Sequence, residues 1–134
     1  MILITDNKIK CEYISLSYSG KIHDYTLLKR EFSSEQNWFE KFILRVDLAY
    51  FGINTAYKIK KVLIPHKKPK GKELTDEQKE ENKILASQRI KVEHSISGLK
   101  RYRVLVDRLR IHLIDLYDNI VWVCAGLWNF NLSN

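Results

Sequence analysis

The chain reads as α/β, and three observations predict it. Short apolar stretches bounded by turn residues alternate with longer stretches whose apolar residues recur at helical spacing. A Pro/Gly-punctuated loop, His66–Lys72, separates the strand-like half from a helix-rich remainder. From Thr75 to Ser97 neither Pro nor Gly interrupts, so one long helix follows. At 134 residues, with 45% hydrophobic content, the chain is one domain or part of one and can bury a real core.

Taken in order, Ile2–Thr5 reads as a strand, Asp6-Asn7 as a two-residue turn that tolerates positive φ, and Lys8–Tyr18 as the returning strand. Nothing precedes the first strand to cap it, which suggests that something upstream is missing. Ser19-Gly20 breaks the pattern. A helix follows from Lys21, with Asp24 expected as N-cap and Leu27, Leu28 and Phe32 turned inward. His23 beside Asp24 has the composition for acid–base chemistry, but a helix cap with a neighbouring surface His explains both. Lys41–Tyr50 reads as a buried strand ending near Asp47. That Asp either caps the next turn or stands where open α/β sheets bind ligands, at the carboxyl end of a strand.

Gly52–Lys60 is a short, partly helical connection, and Lys61–Pro65 a short strand ended by a residue that cannot donate to a ladder. Thr75 and Gln78 form a capping box at the start of the long helix. Within it, Ile90, Val92, Ile96 and Leu99 are the apolar positions, recurring nearer to every 3.6 residues than to every 2, and Gly98 bends or weakens it without ending it. His112–Phe130 is apolar on nearly every side and reads as a helix buried in the core or at a partner interface. Its apolar run, Ile120–Trp128, is about half of the ~20 residues a bilayer span needs. No signal peptide is visible, so a cytoplasmic protein is expected (nucleoid-associated if bacterial). Cys11 and Cys124 lack metal-ligand spacing and read as small core residues in a reducing compartment.

The net charge is +7, and its distribution says more than its total. Lys58–Lys72 holds seven lysines and no acid; Arg89–Arg110 holds seven Lys and Arg against Glu93 and Asp107; the last 24 residues hold none. A basic middle suits a face that tracks phosphates. Glu93 is a lone acid in that setting. One turn after Arg89, it is an i,i+4 ion-pair partner or an acidic metal ligand on a phosphate-binding helix. Asp47 and Glu93, one at a strand end and one on a helix, could converge on a divalent metal. Mg²⁺ is usually held by one or two carboxylates plus substrate phosphate and water.

These residues resemble a family. Asp47-Leu48-Ala49-Tyr50-Phe51-Gly52 looks like the D-x-G-Y-x-G segment of DDE-superfamily transposases of the insertion-sequence and Harbinger-type group, with Ala49 for the usual Gly. Ile64–Gly71 is similar to that group's I-P-x-K-K-P run. Arg89–His94, with Ile96 and Lys100, looks like its R-x-x-V-E-H-x-I-x-x-x-K helix. Ser19–Asp24 with Leu27 resembles its G-x-x-H-D-x-x-L element. The four cover roughly residues 1 to 110, in register.

The resemblance implies an RNase H-like domain, truncated so that its first central strand is missing, and metal-dependent cutting and joining of DNA at transposon ends. It implies Asp47 and Glu93 as catalytic acids and ligands of Mg²⁺ or Mn²⁺. Lys67, Lys68, Lys70, Arg89, His94, Lys100 and Arg101 would contact DNA or orient the acids. The family's first acid has no counterpart, so the chain alone is expected to be inactive. Residues 1–110 are expected to form the partial catalytic domain, and 111–134 a helix packed on it. The expected partners are transposon-end DNA, a divalent metal, and a homo-oligomer or the missing amino-terminal part, with no membrane. The alternatives are a non-catalytic basic DNA-binding module or transposase relic, and a structural protein that binds a partner through its Trp122–Trp128 helix.

Overall fold

Strand-like alternation at the amino terminus closes into an antiparallel hairpin, β1 (Leu3–Thr5) with β2 (Cys11–Ile14), pairing Leu3 with Ile14 and Ile4 with Tyr13. The computed structural model describes residues 1–18, 21–106 and 113–134. The Ser19-Gly20 break, Asp107, Arg108, Arg110, His112 and the 110/111 boundary lie outside the described residues. The remaining elements are α1 (Asp24–Glu31), β3 (Ile43–Arg45), a 3-10 turn (Leu48–Tyr50), α2 (Ile53–Ala56), β4 (Lys61–Leu63), α3 (Asp76–Leu99), a second 3-10 turn (Arg103–Leu105) and α4 (Ile114–Ser133). Mixed α/β is therefore what forms. The described strands make two separate two-stranded sheets, β1–β2 antiparallel and β3–β4 parallel. No helix of the described residues is long and apolar enough to cross a membrane.

The chain divides into two compact units, residues 22–89 and residues 1–21 with 90–134; the division falls within α3. In the first unit the core is largely aromatic. Phe32 and Phe39 lie 5.2 Å apart, and Phe39 meets Tyr57 edge-on at 5.4 Å. Leu27, Leu28 and Ile53 are buried with them. The Tyr57 hydroxyl, which burial would otherwise penalise, donates to the Phe32 carbonyl at 2.6 Å. Strand β3 runs only from Ile43 to Arg45, shorter than the expected Lys41–Tyr50, because Asp47 starts a helical turn. The capping box forms as expected: Thr75 Oγ1 accepts from the Gln78 N–H at 3.2 Å, and Gln78 Oε1 from the Thr75 N–H at 3.1 Å.

In the second unit the hairpin packs on α4. Asn129 bridges them, accepting from the Cys11 N–H and donating to the Cys11 carbonyl, both at 2.8 Å. Cys11 and Cys124 are free and buried, as expected, and burial pushes both thiols up. Helix α4 buries one stripe: Asp118, Val121, Cys124, Ala125 and Trp128. Asp118 is not stranded there, since Oδ1 accepts from the Ser17 N–H at 3.0 Å. Trp122, Val123, Leu127 and Phe130 face outward, so the helix is not buried all round.

One local expectation is corrected, and one face is found to be unlike its sequence pattern. The hairpin connection is longer than Asp6-Asn7. Asp6 Oδ1 accepts from both the Lys8 and Lys10 N–H groups, and Ile9 stands at φ +62°. Ile90 and Ile96 of α3 are exposed, and the buried positions are Ser95, Gly98 and Leu99. Small residues take the inward face because another backbone and a tryptophan ring press against it.

Candidate functional site

After β3 the Val46 N–H still pairs with the Leu63 carbonyl at 3.1 Å, and then the chain turns. Asp47 (φ −88°, ψ 179°) caps the 3-10 turn, its Oδ1 accepting from the Ala49 N–H at 2.8 Å. Of the two roles open to this Asp, the cap is therefore occupied. A carboxylate has a second oxygen and about four lone-pair sites, so a cap and a further contact are compatible. Hydrogen bonds from the Tyr50 N–H to the Asp47 carbonyl and from the Phe51 N–H to the Leu48 carbonyl close the turn. Gly52 follows at φ +87°, a left-handed position that a side chain would strain.

Helix α1 buttresses this segment. The Tyr25 hydroxyl donates to the Gly52 carbonyl at 3.1 Å. His23, not the expected Asp24, is the N-cap, its Nδ1 accepting from the Tyr25 N–H. Asp24 moves into the first helical turn, where a carboxylate suits the positive end of the helix. Its consequence falls on Tyr50. Burial first, then the Asp24 and Asp47 carboxylates, push the Tyr50 phenol up to about 12. Both acids thus act on one phenol, a grouping that single-residue reading missed. The His-Asp element and the D-L-A-Y-F-G segment, in register in the sequence, were the available signal.

The I-P-H-K-K-P run forms a cleft in the same unit. Phe51, Val62–Lys67, Glu81 and Leu85 line an open cleft of about 440 Å³. Its wall is fixed at His66: the backbone N–H donates to Asn82 Oδ1 at 2.7 Å, and the carbonyl accepts from Asn82 Nδ2 at 3.1 Å. The His66 ring pairs with Glu81. Nothing in the sequence singled out Asn82, since a helix-surface Asn carries no signal until the loop lies against it. Lys67 is exposed, with Nζ 5.7 Å from the centre of the Phe51 ring. Lys68 pairs with Glu73, and Lys70 is exposed.

Arg89 is exposed on α3 at the end of this unit; Glu93 and His94 are exposed on the same helix but belong to the other unit. There the next residue, Ser95, is wholly buried. Its Oγ donates to the Ile9 carbonyl at 2.7 Å, and Trp128 Nε1 donates to the same carbonyl at 3.1 Å. An isoleucine at positive φ is a genuine outlier, so the two donors hold a strained residue against the turn that carries Glu93 and His94. Gly98 makes this packing possible: a Cβ there would meet the Trp128 ring at 2.4 Å. Lys100 is exposed, and the Arg101 guanidinium stands 5.8 Å from the centre of the Trp128 ring.

Asp47 thus belongs to one unit and Glu93 to the other. Among the described residues no group of three or more His, Cys, Asp or Glu side chains forms a ready-made metal cluster. The donor type nonetheless fits a hard cation. Asp47 offers carboxylate oxygen, half-buried and oriented by a backbone N–H, as Mg²⁺ or Mn²⁺ prefers.

Comparison with known proteins agrees with these motifs. The family model for the DDE superfamily endonuclease matches residues 1–129. The chain is 37% identical over 116 residues to a probable transposase for insertion sequence element IS702 from Microchaete diplosiphon. That alignment covers 85% of this chain and 39% of the relative, so the chain spans about two-fifths of the relative's length. No solved structure matches. With a family model running through nearly all of its residues, the chain belongs to the DDE superfamily of endonucleases.

Proposed function

We propose that this chain is the part of an RNase H-like DDE transposase domain that carries the second and third acids, acting on DNA at transposon ends. Residues 1–110 supply the catalytic portion, and 111–134 a helix of the same domain. Asp47 and Glu93 are its metal ligands, for Mg²⁺ or Mn²⁺. Lys67, Lys68, Lys70, Arg89, His94, Lys100 and Arg101 hold the DNA phosphates. The observation that carries the reading is the D-L-A-Y-F-G turn: its acid stands at a strand end, held by a backbone N–H and backed by α1. A divalent metal held by these acids would supply activation of an attacking water and charge stabilisation for a leaving oxygen. The protein's own share is to fix the acids and grip the phosphates on either side. With two acids of the three, the chain by itself binds metal weakly and nicks DNA little.

The test is calorimetric Mn²⁺ titration together with plasmid nicking. Asp47→Asn and Glu93→Gln are each expected to lower Mn²⁺ affinity by at least about tenfold, since even residues behind a ligand account for 10–100-fold. Unchanged affinity in both variants would sink the ligand assignment. Robust Mg²⁺-dependent nicking by the wild-type chain would refute its inactivity; abolition of that nicking by Glu93→Gln would still support the site. A second reading, a basic DNA-binding module without chemistry, is supported by the acid-free lysine stretch Lys58–Lys72. It predicts salt-dependent DNA affinity that Glu93→Gln leaves intact or raises.

A further inference from the structure

The cleft beneath Lys67 has features that phosphate contact alone does not require. Phe51 is 63% exposed, although the turn before it is closed by hydrogen bonds and begins at Asp47. The floor behind it is apolar, from Val62, Leu63, Ile64 and Leu85. The cleft is open on one side, and its volume of about 440 Å³ lies in the range of small-molecule sites. Its one acid, Glu81, is engaged by the His66 ring. Lys67 stands at the ring, and the surrounding Lys58–Lys72 stretch is acid-free.

We infer that this cleft takes an unpaired nucleobase of a DNA strand, stacked on Phe51, with Lys67 on the adjoining phosphate. The inference rests on the DNA-binding reading and adds a strand-state preference to it. A base paired within a duplex has no free face to offer a side chain on the protein surface. A base at a frayed or cut end has one, and stacking on an aromatic ring is tolerant of base identity. An uncharged apolar ligand would gain nothing from the lysine rim, whereas a nucleotide uses both ring and cation. Both walls are held before binding, Phe51 by its turn and His66 by Asn82, so little ordering opposes the stack. The turn that presents Phe51 is the one Asp47 caps, so the stacking residue stands four positions along the chain from the candidate metal acid.

The experiment compares three DNA probes by fluorescence anisotropy at low salt: a duplex with one unpaired terminal adenine, the same duplex with an abasic residue in that position, and the blunt duplex. The intact chain is expected to prefer the unpaired adenine by about fivefold to a hundredfold, the range that base–aromatic stacking supports. Phe51→Ala is expected to bring the three affinities together, and Phe51→Trp to keep the preference. Phe51 is mostly exposed, so circular dichroism of the alanine variant should match the wild type. Binding of all three probes without preference, or a preference that survives Phe51→Ala, overturns the base subsite and leaves the DNA reading standing. Failure to bind any probe overturns both.

Discussion

At residue scale, the most constrained point is the contact of Gly98 with Trp128. Placing Ala in a helix gains about 1 kcal/mol over Gly in an open position. Here the added Cβ would lie 2.4 Å from the indole, and overpacking of this kind costs typically about 1–3 kcal/mol. The clash therefore wins. Gly98→Ala is expected to destabilise the fold by a net of up to about 2 kcal/mol in urea unfolding, and less in a Trp128→Leu background where the ring is gone. A stabilised Gly98→Ala single variant would contradict the packing. The glycine was visible in the sequence, but its reason was not. A glycine near a helix end suggests a weakened helix, and only the ring across from it shows a glycine required by space.

At the scale of elements, the packing of α1 against the 3-10 turn makes a pH-sensitive contact. Tyr50 has its phenol raised from 10.0 to about 12, by burial first and then by Asp24 and Asp47. A raised pKa means that the folded state holds the proton more tightly than the unfolded chain. The resulting stabilisation is complete below pH about 10 and is lost as pH rises towards about 12. Ultraviolet titration is expected to show Tyr50 ionising late, alongside Tyr57, whose phenol burial also raises. Asp24→Asn should bring the Tyr50 transition earlier without abolishing the shift, because burial remains. An unmoved transition would mean that Asp24 does not act on Tyr50. The existence of α1 and the inward Leu27 and Leu28 were legible from spacing. The cap was misplaced by one residue because His23 and Asp24 can both accept the first-turn N–H, and sequence alone does not say which is still extended.

At the scale of the whole molecule, the charge pattern makes its own prediction. Each lysine that neutralises a duplex phosphate adds about 0.9 to the slope of log affinity against log salt. Replacing Lys67, Lys68 and Lys70 together with Gln is expected to flatten that slope by about 2–3. An unchanged slope would place the DNA track elsewhere. Lys68 is shared with Glu73, and an exposed pair of that kind is worth about 0–1 kcal/mol, too little to withhold it from a phosphate.

The sequence by itself determined the family, the order of elements, the capping box and the two buried thiols. Each depends on residue type at fixed spacing along one segment, which a linear text preserves. The two-carboxylate hypothesis was likewise readable, from Asp47 and Glu93 in their motifs. Only the tertiary structure decided that Asp47 caps a turn, that Asn82 fixes the lysine loop, and that Ser95, Trp128 and Gly98 clamp a strained Ile9. The Asp47 cap is local, two residues long, and the structure decided only which of its two roles is taken; the other contacts join residues far apart in the chain, Asn82 lying 16 positions from His66 and Trp128 119 from Ile9. A hydrogen bond or van der Waals contact acts only over a few ångströms, so such partners are named by packing rather than by spacing.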